Sequence, residues 1–199
     1  MIGSAIAGLA RLIAGGSVQW AERPTPAPRV YFANHTSHLD FVLLWSYLPP
    51  EIRGRTRPVA ARDYWEKSRL RRYLAGEVFH ALLIDRAGPE ARAAVDQMAS
   101  CLSAGHSLIL FPEGTRGSGE QIAQFKSGLF HLSEAQPGLE LVPVAIENLN
   151  RILPKGEFLP VPMVSRVSFG PSLSLREGEA KDEFLARARR ALEELREPA

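Results

Sequence analysis

The chain has 199 residues, of which 45% are hydrophobic, and this length suits a single domain with one core. Its only cysteine, Cys101, excludes an internal disulfide and fits a reducing compartment. The formal net charge is +2, and we expect no nucleic-acid partner.

The first apolar segment, residues 2–14, has the spacing of an amphipathic helix. The residues that share its apolar side are Ile2, Ala5, Ile6, Leu9, Leu12 and Ile13. This segment is too short to span the ~30 Å of a bilayer's hydrocarbon core, and it lacks the basic start of a signal peptide. We therefore predict an N-terminal helical segment over residues 1–22. Its apolar side lies in a membrane interface or docks on the protein's own core, and we favour the membrane.

The remainder, residues 23–199, alternates between strands and helices after a proline-rich connector at 23–28. Strands are predicted at 29–33, 58–61, 81–84, 107–111, 141–146 and 165–169, and helices at 39–47, 64–74, 89–103, 128–135 and 181–195. This alternation predicts a single α/β domain whose mostly parallel or mixed sheet is flanked by helices.

A histidine and an aspartate five positions apart follow the first of these strands. On a continuous helix this spacing would turn the two side chains about 140° apart, at ~100° per residue. His35 can therefore meet Asp40 only from the turn before the helix. Asn34 and Ser37 favour such a turn, and the apolar helical run begins near Leu39. A histidine oriented by a carboxylate at a strand-to-helix junction is the usual layout of a general base.

A second motif, F-P-E-G-T-R at residues 111–116, follows the fourth predicted strand. It places the carboxylate of Glu113 and the guanidinium of Arg116 on a turn rich in proline and glycine. Ligands of open parallel sheets bind beyond the carboxyl ends of the strands, so we expect one cleft to collect both motifs.

Positive charge is concentrated in residues 51–72, which hold eight basic and three acidic side chains, a local charge of +5. Such a basic sector suits an anionic partner, namely a phospholipid surface, a phosphorylated substrate or an acidic carrier protein. A solvated, arginine-rich face would give the same pattern.

Together the motifs resemble the glycerophosphate acyltransferase family, which contains the bacterial 1-acylglycerol-3-phosphate acyltransferases. The family's His-x4-Asp block is matched at residues 35–40, and its F-P-E-G-T-R block is matched letter for letter at residues 111–116. The accompanying Phe125, Lys126 and Gly128 are also present, as is the apolar block around a proline at residues 142–146. The family's second block fits more loosely, at residues 84–86.

The resemblance implies a glycerol-3-phosphate acyltransferase-like fold and a matching activity. A fatty acyl group would pass from acyl-CoA or acyl carrier protein to the free hydroxyl of 1-acylglycerol-3-phosphate, giving phosphatidic acid. The donor is a substrate, and we expect neither a cofactor nor a metal. Because the acceptor and the product are lipids, we expect a peripheral enzyme on the cytoplasmic face of the membrane, bound to its phospholipid surface.

The resemblance also assigns roles to residues. His35 is the general base, and Asp40 holds its ring. The residues that it assigns to binding of the acceptor phosphate are Arg86, Arg116 and, as a weaker candidate, Lys126. The residues expected to bind or orient the substrate are Glu113, Gly114 and Thr115, with Glu113 accepting from a substrate hydroxyl or orienting Arg116.

Several alternatives remain open. Another lysophospholipid or a lyso-aminolipid would use the same base, and a non-catalytic lipid-binding member would share the fold. A metal hydrolase would use His35, His38 and Asp40, although the sequence has no second ligand cluster to complete the site. His38 also competes as the base, but it breaks the family spacing.

Four further residues line an acyl tunnel or belong to the core: Phe41, Leu43, Leu44 and Trp45. We predict Cys101 to be a buried, inert thiol.

Overall fold

The computed structural model describes residues 2–37, 39–85, 90–147 and 165–196. The strands are β1 Ser17–Trp20, β2 Val30–Ala33, β3 Thr56–Ala61, β4 Leu82–Ile84, β5 Ser107–Leu110, β6 Leu141–Glu147 and β7 Arg166–Phe169. The helices are α1 Ile2–Ala14, α2 Asp40–Tyr47, α3 Pro50–Arg53, α4 Arg62–Trp65, α5 Arg69–Tyr73, α6 Glu90–Ser103, α7 Gly128–Ala135 and α8 Lys181–Glu194. A π-helical turn, Leu74–Val78, directly follows α5.

The seven described strands form one sheet in the order β1-β7-β6-β2-β5-β3-β4. Five consecutive strands of this order are parallel to one another: β6, β2, β5, β3 and β4. Strand β7 pairs with β6 in the antiparallel direction, and β1 pairs with β7 in the parallel direction. The prediction of an α/β domain with a mixed sheet is therefore confirmed. Strand β2 lies in the middle, between β5 and β6, and all four of its residues are buried.

Apolar layers cover both faces of the sheet. One layer holds α1, α2 and the π-helical turn, around side chains such as Leu43, Trp45 and Phe79. The other holds α6, α7 and α8, and is filled by residues such as Leu132 and Phe184. The uniformly apolar residues of β2 agree with this position, since a strand covered on both faces needs no polar side.

Three elements differ from the sequence-based expectation. Strand β1 and the short helix α3 were not predicted. Strand β1 has only four residues, lies at the edge of the sheet and is largely exposed, so its sequence shows no clear alternation of apolar and polar residues. Helix α3 also has only four residues. The predicted helix at 64–74 is broken into α4, α5 and the π-helical turn. Ser68 causes the break, because its hydroxyl accepts a hydrogen bond from the N–H of Arg71 and starts a new helix there.

Helix α1 packs on the protein mainly through small residues, together with the partly buried Ile6. Ala7 and Ala14 are buried, and a Cβ atom added at Gly3 would lie 3.2 Å from the Trp45 ring. Four other large apolar side chains of α1 face solvent: Ile2, Leu9, Leu12 and Ile13. None of the described helices has both the length and the hydrophobicity needed to cross a membrane.

A tight turn joins α1 to the sheet. A Cβ atom added at Gly16 would lie 2.4 Å from the hydroxyl oxygen of Ser165 and 2.7 Å from that of Tyr47, so no side chain fits there. Strand β1 begins at the next residue and pairs with β7 along its whole length. The predicted N-terminal segment, residues 1–22, thus contributes both a helix and a strand of the sheet.

Candidate active site

Asn34 determines where β2 leaves the sheet. Its side-chain amide donates to the carbonyl oxygen of Ile146 at 2.8 Å, and its side-chain oxygen accepts the N–H of Ile146 at 2.8 Å. The Asn34 side chain thus takes the place of a backbone partner beside β6. This frees the backbone after Ala33 to turn out of the sheet, and the next residue, His35, lies at the carboxyl end of β2.

His35 and Asp40 form the pair that their spacing predicts. Helix α2 begins at Asp40, and His35 lies in the turn before it. The Nδ1 atom of His35 lies 2.8 Å from Oδ2 of Asp40. A carboxylate oxygen only accepts, so this contact assigns the donor role to Nδ1, and in the neutral imidazole Nε2 is then the acceptor.

Asp40 is fully buried at the start of α2 and fixes the turn as well as the ring. Its Oδ2 atom also accepts the backbone N–H groups of Thr36 at 2.6 Å and Ser37 at 2.8 Å. A carboxylate in the first turn of a helix is further stabilised by the helix dipole. One oxygen of Asp40 therefore holds both the His35 ring and the backbone of the turn that precedes α2.

The second motif holds His35 from its other side. The N–H of His35 donates to Oε1 of Glu113 at 2.8 Å, and the N–H of Gly117 donates to the carbonyl oxygen of His35 at 2.8 Å. The ring stacks on Phe111, with 4.2 Å between ring centroids. The backbone and ring of His35 are thus both fixed, while 22% of its side chain remains exposed.

Glu113 has contacts that differ from the predicted ones. Its side chain was expected to bind a substrate hydroxyl or to orient Arg116. It is only 4% exposed, and its two oxygens accept the backbone N–H groups of His35 and Ala123, the latter at 2.9 Å. A buried carboxylate bonded on both oxygens ties the loop after β5 to the loop after β2.

The remaining predicted residues of this motif surround the cleft above His35. Gly114 has a φ of 75°, a left-handed conformation that favours glycine, and it brings the backbone close to the Lys126 side chain. Thr115, Arg116 and Lys126 are exposed and line the cleft. Neither Arg116 nor Lys126 forms an ion pair with another described residue.

The cleft has a volume of about 1210 Å³ and runs from His35 between β3, α4, α6 and α7. Apolar side chains form much of its wall, among them Phe41, Trp65, Phe79, Val95, Met98 and Leu129. The sequence left four residues, Phe41, Leu43, Leu44 and Trp45, as either lining of an acyl tunnel or part of the core. Of these four, only Phe41 lines the cleft. Leu43, Leu44 and Trp45 are buried in the core.

Two predicted residues, Arg86 and His38, lie outside the described residues. Asp85, the neighbour of Arg86, forms an ion pair with Arg62 at 3.0 Å. Within the described ranges, no three His, Cys, Asp or Glu side chains are grouped as a metal site would require.

The predicted basic sector divides into two parts in the structure. Arg53 lies over the Trp45 ring, Arg62 pairs with Asp85 and Glu66, and Arg71 lies over Tyr64. The exposed cations around α5 are Lys67, Arg69 and Arg72. Only part of the sector's charge is therefore directed to solvent.

Cys101 lies in α6, is half-buried and does not line the cleft that contains His35. Burial raises the pKa of its thiol, which lowers the fraction present as thiolate at neutral pH. Cys101 is thus less buried than predicted, and its low reactivity stays a prediction.

Three contributors to the site were missed or only partly understood from the sequence. Asn34 was assigned to the turn, but its bridge to β6 depends on a strand more than a hundred residues away. Phe111 was expected to end a strand, and its ring instead supports His35. Gly117 acts through its backbone N–H, for which a sequence gives no signal beyond the glycine itself.

Comparison with known proteins gives consistent results. A family model described as "Acyltransferase" matches residues 18–147. A 1-acyl-sn-glycerol-3-phosphate acyltransferase from Limnanthes alba is 27% identical over 179 residues, covering 81% of this chain and 59% of its own length. The alpha form of the human enzyme of that name is 33% identical over 129 residues, covering 63% of this chain and 42% of its own length. The chain thus spans less than two thirds of the length of these relatives.

A solved structure shares the fold. The 1-acyl-sn-glycerophosphate (LPA) acyltransferase PlsC from Thermotoga maritima superimposes with a TM-score of 0.74 at 19% sequence identity. The match covers 100% of this chain and 81% of that one.

Proposed function

This chain belongs to the glycerophosphate acyltransferase family, and from that premise we propose that it acylates the free hydroxyl of 1-acylglycerol-3-phosphate. The donor is a thioester, acyl-CoA or acyl carrier protein, and the product is phosphatidic acid. The observation that carries this proposal is the His35–Asp40 pair, which lies at a cleft also lined by Arg116 and Lys126, neither of which forms an ion pair within the described part of the chain. The names of the relatives support the choice of acceptor.

His35 acts as the general base of this reaction. Its Nε2 removes the proton of the acceptor hydroxyl while the oxygen attacks the thioester carbonyl carbon. The C–S bond of the resulting tetrahedral intermediate then breaks, and the departing sulfur takes the proton back from the imidazolium. Asp40 stabilises the imidazolium between these steps, because its buried charge lies 2.8 Å from Nδ1. The acceptor hydroxyl takes the place that a serine has in hydrolases, so no acyl-enzyme forms.

Arg116 and Lys126 bind the acceptor phosphate. Both are exposed in the cleft, and neither is neutralised by a carboxylate among the described residues. A guanidinium donates paired, charge-assisted hydrogen bonds to a phosphate, and an ammonium adds a mobile point charge. Arg86 remains a third candidate from the resemblance alone.

The apolar part of the cleft holds acyl chains. Its lining by Phe41, Trp65, Phe79 and neighbouring side chains gives an aliphatic tail a surface removed from water. Such burial is worth about 0.8 kcal/mol for each CH₂ group.

Helix α1 attaches the protein to the membrane. Its Ile2, Leu9 and Leu12 are 55%, 56% and 78% exposed, whereas Ala7, Ala14 and the partly buried Ile6 pack on the protein. This arrangement leaves the large apolar side chains available to an interface rather than to the core. We place the enzyme on the cytoplasmic face, where its donors are found.

A panel of acceptors tests the proposal. The purified chain would be incubated with lysophosphatidate, other lysophospholipids and a lyso-aminolipid, each with an acyl-CoA and with an acyl carrier protein donor. We expect phosphatidic acid from lysophosphatidate and no product with His35→Ala. Preference for another acceptor would replace the substrate assignment, and absence of transfer to every acceptor would contradict the proposed activity.

A further inference from the structure

The exposed apolar side chains of this protein are not scattered. Among the described residues, the large hydrophobic side chains exposed to solvent are Ile2, Leu9, Leu12, Ile13, Val18, Leu70 and Tyr73. They occupy two stretches, α1 with the start of β1, and α5. Single exposed apolar residues are normal on a soluble surface, whereas clusters mark interaction sites.

Helix α5 combines apolar exposure with positive charge. Leu70 is 67% and Tyr73 is 46% exposed, and a spacing of three places them on one side of the helix. Three exposed cations surround them, Lys67, Arg69 and Arg72, and no acidic residue lies between positions 67 and 76. We name these five residues the α5 patch. Helix α1, by contrast, contains a single cation, Arg11.

The α5 patch is attached to the wall of the cleft. The guanidinium of Arg71 lies 4.3 Å from the centre of the Tyr64 ring, and Nη1 of Arg71 donates to the Tyr64 carbonyl oxygen at 3.4 Å. Tyr64 and the adjacent Trp65 line the cleft that contains His35. A ligand of the α5 patch is therefore bound beside the cleft wall.

The α5 patch and α1 border the same apolar layer. The π-helical turn after α5 leads to Phe79, whose ring packs edge-on against Trp45 with 5.3 Å between centroids. Trp45 in turn contacts α1 at Gly3. Both exposed apolar stretches thus adjoin the same apolar layer, and α8 lies in the layer on the other face of the sheet.

We propose that the α5 patch is a second membrane contact, selective for anionic phospholipid, which holds the cleft against the bilayer. Leu70 and Tyr73 enter the interface, and Lys67, Arg69 and Arg72 bind headgroup phosphates. The occupant is a bilayer because two apolar side chains are far too few for a stable protein interface, which buries about 800 Å² on each partner. Shallow insertion combined with several cations is sufficient on an anionic membrane. The inference rests on the proposed lipid acceptor, which such a contact would supply.

Binding to vesicles tests the α5 patch directly. The full chain would be floated with phosphatidylcholine vesicles and with vesicles that also contain phosphatidylglycerol. Removing the charges by Arg69→Gln with Arg72→Gln should weaken binding to the anionic vesicles by roughly 30-fold, since each basic residue near the surface contributes about fivefold. Leu70→Ser with Tyr73→Ser should weaken binding to both kinds of vesicle.

The matched control removes two cations from α8, by Lys181→Gln with Arg190→Gln, and should leave flotation unchanged. Equal losses in the control and the α5 variants would overturn the proposal, because only net charge would then matter. Unchanged binding in both α5 variants would overturn it as well.

A second measurement separates this inference from the proposed activity. With a short-chain lysophosphatidate below its micelle concentration, the α5 variants should retain wild-type transfer rates, and they should lose rate only when the acceptor is in vesicles. Loss on both forms of the acceptor would show that α5 acts through the fold, and would overturn the membrane contact. If the wild-type chain transfers no acyl group at all, the proposed function is contradicted. The flotation measurement would still test the α5 patch, because it does not depend on acyl transfer.

Discussion

Glu113 holds His35 by its backbone and not by its ring: the N–H of His35 donates to Oε1 of Glu113 at 2.8 Å, while the ring nitrogen turns to Asp40. The two carboxylates next to the proposed base therefore have separate tasks. Asp40 carries the charge that an imidazolium needs, and Glu113 joins the two loops that place the imidazole. Substitution of Asp40 and substitution of Glu113 should therefore have different effects on catalysis and on stability.

His35→Ala should lower the rate of acyl transfer by roughly 10²–10⁴, the usual contribution of a general base. The ring leaves a partly exposed site, so we expect the protein to stay folded and the acceptor KM to change little. Steady-state kinetics with circular dichroism would measure both. His38→Ala is the control and should cost far less. Full activity in His35→Ala with a large loss in His38→Ala would overturn the assignment of the base.

Asp40→Asn should lower kcat by removing the charge that stabilises the imidazolium. The backbone N–H groups of Thr36 and Ser37 require an acceptor at Oδ2, so the asparagine oxygen should stay there and keep Nδ1 as the donor. Its NH₂ group would then occupy the position of Oδ1, which is buried without a partner among the described residues. A lower melting temperature should therefore accompany the lower kcat, as calorimetry would show. Wild-type kcat in this variant would exclude a charge effect from Asp40.

Glu113→Gln should reduce kcat and stability together while leaving the midpoint of the pH–rate profile in place. A glutamine has one accepting oxygen, so one of the N–H groups of His35 and Ala123 would face an NH₂ group instead. An unsatisfied buried group of this kind costs about 1–3 kcal/mol, measurable by chemical denaturation. The matched control is Glu120→Gln, an exposed carboxylate of the same loop. A shifted pH midpoint in Glu113→Gln would show that Glu113 acts on the titrating group directly.

Arg116→Gln and Lys126→Gln should act on the acceptor. If their contacts to the phosphate are equal in the ground state and the transition state, the acceptor KM rises while kcat changes less. An acceptor without a phosphomonoester should not distinguish these variants from wild type. Arg190→Gln, an exposed cation on α8, serves as the control. Equal losses of activity on every acceptor would make Arg116 and Lys126 structural residues instead.

Cys101 should react slowly with iodoacetamide at neutral pH. Burial raises the pKa of its thiol, so at a fixed pH less thiolate is present than for an exposed cysteine. The alkylation rate, followed by mass spectrometry over a pH series, should rise with a midpoint on the alkaline side of that of a free cysteine. Cys101→Ser should keep wild-type activity. Rapid labelling at pH 7 would contradict the effect of burial.

The sequence predicts the parts of the site that depend on local spacing. The distance from His35 to Asp40 along the chain fixes their geometry at the start of α2, and strand patterns place each motif at the carboxyl end of a strand. That the two strands are neighbours is known from the structure alone. The contacts of Glu113 could not be predicted in this way. They depend on the backbone N–H groups of His35 and Ala123, which any residue except proline could supply at those positions. Edge strand β1 was missed for a related reason, because its partner β7 is nearly 150 residues away.

The turn at Gly16 has a mechanical consequence for a protein that works on a membrane. Because the turn is closely packed around Gly16 and β1 is paired along its whole length, α1 is joined to the sheet by a short, packed connection. When α1 lies on the bilayer as proposed, the height of His35 above the headgroups is a constant of the fold and does not vary as it would on a flexible tether. The acceptor lipid must then move partly out of the bilayer to bring its hydroxyl to His35, and we expect this displacement of the lipid in place of a movement of the enzyme.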